Sequence, residues 1–485
     1  MSSLKSFDIK IKREIRDPIF NYVHVTESED KVIDSPIFQR LDRLAQTSTS
    51  PFVYPSLRYS RKTHSLGVMH LVHRAFLHLL FLQSDIQSEI SPLLFGELVV
   101  FNSKKERGLD NLSQKLPSDW WNSKDLDEKV QSLRYAGLLH DIGHAPFCHT
   151  FEEVCKKLKE QGKIKIDFDH EVMSRKIIKE KFKELNLEAP FTPDHINNIL
   201  DPKGEAPQFL RELISSPYDC DKLDYLKRDA YHSGTLEYGD IDCERILDGF
   251  RVKDLKLCIS SSAIDTLMNS FRAIQFMYTT VYHHKTCRLF DFMIADALEK
   301  IPAFLEEIVL DLDKFLKCDD CSFICEVKNR KEKGDGYGEA WEIFKKIRKR
   351  EKVYKVIVEY PLSLGIATDA REEIKKLEKD LDEAGEDLKI RVDYLPDILP
   401  VRTEENGIYN WLSGKRIYDS EVGELKPLRA ISETYFYQLL RHTVLFRIFG
   451  HRDQLKDRGC MLKAKKIEKE AKTKLKEIEE KYLLK

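Results

Sequence analysis

The sequence predicts a mainly α-helical protein with a smaller α+β lobe toward its C-terminal end. Three features support this prediction. Between about residues 30 and 300, apolar residues recur at helical spacing and strand signals are few. A charged and glycine-rich stretch at 328–338 then interrupts the pattern. Beyond it, residues 353–360 and 388–394 alternate in the way that strands do.

The helical part is clearest in two segments. The first has one apolar stripe, which consists of Leu66, Met69, Val72, Phe76 and Leu79. The second covers residues 130–138. A chain of 485 residues is long enough to form more than one hydrophobic core. We therefore predict a helical core at 1–300, a linker with the α+β lobe at 301–427, and C-terminal helices at 428–485.

The last third of the chain has its own order of elements. Helices are predicted at 339–352, 370–384 and 428–449, and a hairpin joins 408–412 to 416–419. The final segment, 461–485, contains nine lysines and five glutamates. Its apolar residues lie on one helical face, which consists of Ile467, Ala471, Leu475, Ile478 and Tyr482. This face favours a packing or oligomerisation helix over a basic arm that binds nucleic acid.

The composition is that of a soluble globular protein, with 42% hydrophobic and 33% charged residues. The formal net charge of -2 gives no chain-wide attraction to polyanions, so nucleic-acid binding is not indicated. The N-terminus lacks the apolar stretch of a signal peptide, and His70, His73, Arg74 and His78 interrupt the longest apolar region. We expect a cytoplasmic protein without a membrane segment.

The ten cysteines are scattered, and most lie in apolar surroundings. Free buried thiols are the expected state in an intracellular chain. One cluster, formed by Cys318, Cys321 and Cys325, has the spacing of metal ligands but no obvious fourth ligand nearby. A partly buried helix and turn is therefore favoured there over a zinc or iron–sulfur site.

Four residues have the chemistry of a metal site: His64, the adjacent His140 and Asp141, and Asp221. Two imidazoles and two carboxylates can hold one divalent metal and leave positions open for water and a substrate oxygen. Adjacent residues are about 100° apart on an ideal helix, so His140 and Asp141 reach one ion only near a helix end or beside a facing helix. The set predicts a hydrolase, and Fe, Mn, Ni, Zn and Mg all remain open as the metal.

The neighbours of these ligands resemble those of the HD-domain phosphohydrolases, and more narrowly those of the deoxynucleoside triphosphate (dNTP) triphosphohydrolases. That group includes bacterial dGTPases and the vertebrate SAM-and-HD-domain dNTPase. The segments that carry the resemblance are 33–41, 61–68, 138–149, 218–229 and 281–285. The resemblance runs from about residue 17 to 298 and implies that the helical core at 1–300 is an HD-domain catalytic core.

The resemblance implies a role for each matching residue. His170 matches a histidine that transfers a proton to the leaving group, and Glu152 matches the carboxylate that orients it. The family usually has aspartate where this chain has Glu152. The positions that match triphosphate-binding residues are Arg61, His144, His149, Lys222 and Arg228.

The same resemblance places the sugar and the base. Tyr225, Asp229 and Tyr282 match positions that pack on the deoxyribose and bind its 3′-hydroxyl, and Gln46 lies near the sugar. An aromatic wall against C2′ would exclude a 2′-hydroxyl and so select deoxynucleotides. Core packing is the competing explanation for both tyrosines.

Some positions depart from the family pattern. Asp34 and Gln39 match residues that bind an activating guanine nucleotide, but Asp42 stands where the third such residue is an arginine, which puts activation by GTP in doubt. Thr47 replaces a leucine near the base, Ile274 replaces an arginine that helps to hold the triphosphate, and Tyr278 replaces a histidine.

The function that we predict is metal-dependent hydrolysis of a dNTP to the deoxynucleoside and inorganic triphosphate. A transition metal is expected at the tight site, with Mg bound to the triphosphate. The rivals are a phosphohydrolase acting on nucleoside monophosphates or cyclic nucleotides, and a nucleotide-binding regulator without catalysis. The family assembles into dimers, tetramers or hexamers, so a homo-oligomer is expected, although no interface is visible in the sequence.

Overall fold

The computed structural model describes residues 11–83, 126–188, 190–239, 241–363, 369–385, 388–394, 414, 416–419, 424–434 and 443–483. The protein is mainly α-helical, with a smaller α+β region near its C-terminal end. The predicted fold class is therefore confirmed. Among the described residues, no helix combines the length and the apolar character that crossing a membrane requires.

The N-terminal region surrounds one long helix. A hairpin of β1 (Ile11–Asp17) and β2 (Asn21–Thr26) comes first. The helices that follow are α1 (Glu27–Ile33), α2 (Pro36–Gln39), α3 (Arg61–Gln83), α4 (Leu126–Leu139), α5 (His149–Glu160), α6 (His170–Glu180), α7 (Pro193–Leu200) and α8 (Gln208–Glu212). Short 3-10 turns occupy Arg40–Arg43 and Ser50–Phe52. The hairpin is a feature that the helical periodicity of this region did not predict.

The middle region continues the helical core. Its helices are α9 (Cys220–Ser233), α10 (Leu236–Gly239), α11 (Cys243–Gly249), α12 (Ile264–Phe276), α13 (Lys285–Leu298), α14 (Pro302–Leu310), α15 (Leu312–Lys317), α16 (Asp320–Arg330) and α17 (Tyr337–Arg348). A π-helical turn, Met277–Tyr282, joins α12 to α13. Strands β3 (Phe250–Lys253) and β4 (Lys256–Ser260) form a second hairpin. Buried side chains from all these parts form one large core.

The C-terminal region has a second, smaller core. Its three-stranded sheet has the order β5–β9–β6, with β5 at Tyr354–Ser363, β6 at Arg391–Tyr394 and β9 at Thr443–His451. The other elements are α18 (Arg371–Ala384), β7 (Ile417–Asp419), β8 (Glu424–Lys426), α19 (Leu428–Ile431), a 3-10 turn (Gln454–Lys456) and α20 (Arg458–Leu483). In the described residues, β7 pairs with β8 and with β4, and the 408–412 half of the predicted hairpin lies outside them.

The helix predicted at 428–449 is wrong over its last part, which forms β9. Phe446 and Ile448 are buried in the small core, Phe449 is buried in the large one, and Arg447 is almost fully covered. Because both faces of β9 are covered, its sequence lacks polar alternation and looks like a buried helix.

The C-terminal helix α20 packs within the chain. Its apolar residues Ala464, Ile467, Ala471, Leu475 and Ile478 are buried in the small core, together with residues of α18 and the sheet. The predicted packing role of this face is thus seen directly. An oligomeric role for the same helix remains a prediction.

Candidate metal centre and active site

Helices α3 and α9 position two of the predicted metal ligands. His64 lies in the first turn of α3, which starts at Arg61. Asp219 caps α9, because its carboxylate accepts a hydrogen bond of 2.8 Å from the backbone N–H of Lys222. Asp221 therefore sits in the first turn of α9, where its carboxylate meets the imidazole of His64.

His140 and Asp141 lie in the turn directly after α4, as their adjacency required. Gly143 in this turn lets α6 come close. A Cβ at position 143 would lie 2.3 Å from both the carbonyl oxygen of His170 and the backbone nitrogen of Ser174. The Ser174 hydroxyl links the two elements, since it donates to the His140 carbonyl at 2.6 Å and accepts from the Gly143 N–H at 2.9 Å.

The structure brings the four predicted ligands together. His64 Nε2 lies 2.9 Å from Asp221 Oδ1 and 3.7 Å from Asp141 Oδ2. His140 Nε2 lies 3.3 Å from Asp141 Oδ1 and 3.8 Å from Asp221 Oδ1. Ligand atoms of His64, His140 and Asp221 all fall within 4.8 Å of one another, which is a spacing that one ion can bridge.

The hydrogen bonds of the two imidazoles fit a metal. His64 Nδ1 donates to Asp224 Oδ2 at 2.7 Å, and His140 Nδ1 donates to the Gly137 carbonyl at 2.8 Å. In the neutral ring, a proton on Nδ1 leaves a lone pair on Nε2. Both Nε2 atoms are buried and, among the described residues, neither has a hydrogen-bond partner. These lone pairs face carboxylate oxygens, so a cation between them completes the site.

The electrostatics of the centre also favour a positive charge. Burial opposes the charged form of His64, but hydrogen bonds to Asp221 and Asp224 outweigh burial and raise its pKa to about 10. Burial likewise opposes ionisation of Asp141, but His140 and Arg61 hold the pKa of this carboxyl well below its usual range. The carboxylates therefore remain charged at neutral pH, and the space between the four side chains attracts a cation.

A buried ion network holds His64 in place. Arg228 donates to both oxygens of Asp224, at 2.7 and 3.0 Å, and also to Asp17 at the end of β1 at 2.7 Å. Gly67 makes room for it: a Cβ there would lie only 1.8 Å from Asp224 Oδ1. Sequence reasoning missed Asp224 and Asp17, although Asp224 stands one helical turn after Asp221.

The predicted catalytic pair is in direct contact. His170 Nδ1 donates to Glu152 Oε2 at 2.7 Å, so glutamate reaches the imidazole where the related enzymes use aspartate. The ring of His170 stacks on that of His144 at 4.1 Å, and His149 approaches it edge-on at 5.4 Å. His144 Nε2 in turn lies 3.3 Å from Asp141 Oδ1, which connects the histidine cluster to the metal centre.

The three histidines have different protonation properties. Burial opposes a charge on His170, but its hydrogen bond with Glu152 raises the pKa above its usual value. Burial lowers the pKa of His144 strongly and that of His149 to about 4. His170 is thus the member of this cluster that holds a proton near neutral pH.

A strained loop presents the cluster. Phe147 and Cys148, directly before α5, have φ angles of 62° and 55°, in the left-handed region that residues other than glycine rarely adopt. Strain of this kind is concentrated at functional sites. Here it places His149 at the first position of α5, beside His144 and His170.

The predicted phosphate-binding cations are already engaged by protein carboxylates. Arg61 donates to Asp141 Oδ2 at 2.5 Å, and Lys222 donates to Asp219 Oδ2 and to the Ser216 carbonyl, both at 2.8 Å. The Arg228 side chain is fully buried in its network. This geometry does not support phosphate binding by Arg228, because the i,i+4 contact to Asp224 turns its guanidinium into the core.

The predicted sugar-binding residues form an aromatic group around one carboxylate. Tyr282 and Tyr59 donate to the two oxygens of Asp229, at 2.5 and 2.7 Å. Tyr225 lies edge-on to Tyr282, with ring centroids 6.3 Å apart, and its hydroxyl is 3.3 Å from that of Tyr278. Burial raises the pKa of Asp229 to about 6. The Gln46 amide oxygen is buried and, among the described residues, accepts no hydrogen bond.

The predicted allosteric positions lie near the start of α3. Asp34 is exposed and is 3.5 Å from the Arg13 guanidinium. The Gln39 amide donates to the Ile33 carbonyl at 2.7 Å and accepts from Lys62 at 3.0 Å. Asp42 accepts from the Ser60 hydroxyl at 3.0 Å.

The cysteine cluster shows no metal geometry. Cys318 is buried, whereas Cys321 and Cys325 are exposed on α16. In the described part of the chain, none of the groups of three side chains that could hold a metal contains a cysteine. All ten cysteines are free thiols, which confirms the expectation from composition.

A cavity opens on the metal ligands. Its wall contains His140, Asp141, His170, Glu171, Ser174, Arg175, Ile199, Leu200, Arg211, Ile214, Ser215 and Asp221. Arg175 and Arg211 were not predicted as site residues. They come from α6 and α8, which are far apart in the sequence, so no local pattern could have identified them.

Two family models match the chain. The HD domain model matches residues 61–213, which contain His64, His140 and Asp141, and the model of an HD-associated region matches 241–393. This chain is an HD-domain protein. Asp221, the fourth candidate ligand, lies between the two matched segments.

Curated relatives of this HD-domain protein support the resemblance to dNTP triphosphohydrolases. It is 27% identical over 364 residues to the Dictyostelium discoideum protein named as a homologue of the deoxynucleoside triphosphate triphosphohydrolase SAMHD1, covering 73% of this chain and 62% of that one. The human enzyme of that name is 27% identical over 62% of this chain and 47% of its own length. An uncharacterised Methanocaldococcus jannaschii protein is 31% identical over 64% of this chain and 54% of that one. The HD-domain protein therefore spans about half to three fifths of these relatives.

Solved structures share the fold. One is a phosphohydrolase from Bacteroides thetaiotaomicron, with a TM-score of 0.62, 22% identity and coverage of 91% of this chain and 100% of that one. Another is a hypothetical protein from Aquifex aeolicus, with a TM-score of 0.61, 24% identity and coverage of 96% and 100%. At these identities the likeness concerns the fold of the HD-domain protein alone.

Proposed function

We propose that this HD-domain protein is a metal-dependent phosphohydrolase that converts a dNTP to the deoxynucleoside and inorganic triphosphate. The observation that carries the proposal is the pair of buried, unpartnered Nε2 atoms of His64 and His140 facing two carboxylates, with the His170–Glu152 pair alongside. A divalent metal bound to His64, His140, Asp141 and Asp221 would activate water and neutralise charge on the phosphoryl oxygens. Fe, Mn, Ni, Zn and Mg all suit these ligands, and a further Mg would accompany the triphosphate.

In the proposed reaction, the oxygen of a water molecule bonds to the α-phosphorus, and the bond from this phosphorus to the 5′-oxygen breaks. His170 supplies a proton to the leaving 5′-oxygen, so that it departs as the deoxynucleoside hydroxyl. Glu152 keeps the imidazole oriented and charged. The proton that the attacking water loses returns to His170 through solvent, and the remaining O–H stays on the α-phosphorus of the triphosphate.

The aromatic group around Asp229 is the proposed sugar site. Each carboxylate oxygen has two lone pairs, so Asp229 can accept from a 3′-hydroxyl while it holds Tyr59 and Tyr282. Tyr225 and Tyr282 would form the wall against C2′ that disfavours ribonucleotides, and Gln46 would lie beside the sugar. His144, His149, Arg61 and Lys222 are the proposed first contacts of the triphosphate.

Other parts of the proposal concern regulation and assembly. Asp34 and Gln39 are kept as a candidate nucleotide-binding pair, without the arginine that accompanies them in the vertebrate enzyme. The metal and nucleotide site is assigned to residues 1–300. Relatives named as dNTP triphosphohydrolases support a dNTP substrate, and a homo-oligomer, either dimer or tetramer, is proposed by the same resemblance.

Product analysis tests the proposal. The purified, metal-supplemented protein is incubated with each of the four dNTPs, with and without GTP, and products are separated by chromatography. Deoxynucleoside and triphosphate, absent from a His140→Ala/Asp141→Ala variant, are the expected result. Orthophosphate or linear monophosphates from other substrates would instead indicate a monophosphate or cyclic-nucleotide hydrolase. Nucleotide binding with no turnover in the presence of metal would indicate a regulator.

A further inference from the structure

The candidate active site has an unsolved charge problem. A dNTP carries about four negative charges, and the cations predicted to bind them are committed elsewhere: Arg61 to Asp141, Lys222 to Asp219, and Arg228 to Asp17 and Asp224. Ile274 also stands where the related enzymes have a further arginine. A polyphosphate therefore needs cations whose hydrogen-bond donors are still available.

Two such cations line the cavity that contains the metal ligands. Arg175, on α6, has its Nε 3.8 Å from Asp201 Oδ2, which is longer than a hydrogen bond. Arg211, on α8, donates once, to the Asp201 backbone carbonyl at 3.1 Å. Each guanidinium has five N–H donors. Within the described residues, most donors of this pair thus remain unused.

The surroundings of the pair suit an anion. The Arg175 side chain is 19% exposed, so its charge is largely screened from bulk water, while Asp201 is 43% exposed and has its Oδ1 engaged by the Lys203 N–H at 2.9 Å. Ile199, Leu200 and Ile214 supply apolar wall, which strengthens ion pairing inside the cavity. Glu171 also lines the cavity and opposes an anion, but it is an exposed residue.

We propose that Arg175 and Arg211 form an anion subsite that holds the terminal phosphate groups of a polyphosphate chain. The planar fork of arginine matches phosphoryl oxygens, and two forks together neutralise two charges. Because His140, Asp141 and Asp221 line the same cavity, a chain that coordinates a metal there reaches both arginines without leaving the cavity. The subsite rests on the proposed function, since it assigns the far end of the same substrate and of its triphosphate product.

The test is calorimetric titration of the metal-loaded protein with inorganic tripolyphosphate, which needs no turnover. We expect Arg175→Gln and Arg211→Gln each to weaken binding about tenfold, and the double variant to weaken it about a hundredfold. Metal content, measured by elemental analysis, should stay at the wild-type level in all three. Arg348→Gln, which removes the same charge from an exposed position on α17, is the matched control and should bind normally.

Further arms separate the alternatives. Arg175→Lys and Arg211→Lys keep the charge and lose the fork, so binding between the wild-type and glutamine values is expected even if a glutamine variant fails to fold. Unchanged tripolyphosphate affinity in a folded, metal-loaded double variant would overturn the subsite. Equal affinity for orthophosphate, with the same dependence on both arginines, would overturn the assignment to a polyphosphate. If tripolyphosphate binding depends on the arginines but no dNTP is hydrolysed, the subsite stands and the proposed substrate fails.

Discussion

His64 donates a hydrogen bond of 2.7 Å from Nδ1 to Asp224 Oδ2, and both side chains are fully buried. This contact fixes the ring so that Nε2 faces Asp141 and Asp221. Carboxylates in this position orient a metal-binding histidine and increase its basicity. Asp224 is thus a positioning residue, and Arg228 and Asp17 hold it in turn.

Replacing Asp224 should therefore weaken the metal site without removing a ligand. We expect Asp224→Asn to lower metal affinity about 10–100-fold, because the neutral amide no longer fixes the His64 ring. Competition with a chromogenic chelator measures this affinity. Asp248→Asn is the control, since Asp248 is an exposed carboxylate 3.6 Å from another α3 histidine, His78. Equal affinities in both variants would contradict the positioning role.

Gly67 offers a steric test of the same network. A methyl group there cannot coexist with Asp224 at 1.8 Å, so Gly67→Ala should displace this carboxylate and lower the free energy of unfolding by about 1–3 kcal/mol. Thermal unfolding and metal content are the measurements. Gly338→Ala, within α17 and with its nearest outside atom at 3.2 Å, should leave both properties near the wild-type values. A stable, fully metal-loaded Gly67→Ala protein would show that the network has room to adjust.

The His170–Glu152 contact predicts a pH dependence. The hydrogen bond from Glu152 raises the pKa of His170, so the protonated imidazole persists above its usual titration range and is lost as pH rises through the raised value. If His170 is the proton donor, activity falls on the alkaline side with that same pKa. Glu152→Gln removes the negative charge, and we expect the alkaline limb of kcat to move to lower pH. A variant that lost activity equally at every pH would indicate a role for Glu152 other than holding this proton.

Metal binding should stabilise the fold. A ligand that binds only the native state adds RT ln(1 + [L]/Kd) to stability, or about 2.7 kcal/mol at a hundredfold excess over Kd. We expect added Mn²⁺ to raise the melting temperature of the wild type and to leave that of His140→Ala/Asp141→Ala unchanged. Scanning calorimetry with and without a chelator measures both. A similar rise in the two proteins would mean that the ion binds elsewhere.

The candidate ligands were predictable because each lies in a distinctive local motif. His140 and Asp141 are adjacent, Asp221 lies in a dense run of charged residues, and a turn after α4 brings the pair to one place, as their spacing demanded. Arg228 has the right motif but the wrong direction, because helical geometry gives its guanidinium to Asp224. Arg175 and Arg211 carry no motif, and only the packing of α6 near α8 makes them neighbours of the metal centre.

Strand β9 was the main error in the fold for a related reason. Sequence periodicity reports which faces of an element meet water, and β9 has no face that does. The long helices α3 and α20 were predictable because part of each surface is distinct from the rest. Pairing partners such as β4 with β7, about 160 residues apart, depend on contacts that local patterns do not record.

The two cores share β9, and this sharing determines how the chain can be divided. Phe446 and Ile448 belong to the small core, whereas Phe449 belongs to the large one. Arg447 between them donates a 2.5 Å hydrogen bond to the carbonyl of His283, the residue after the proposed sugar-binding Tyr282. A protein shortened before β9 would open a gap in the catalytic core and release the backbone beside its substrate wall. The two lobes are therefore expected to melt in a single cooperative transition.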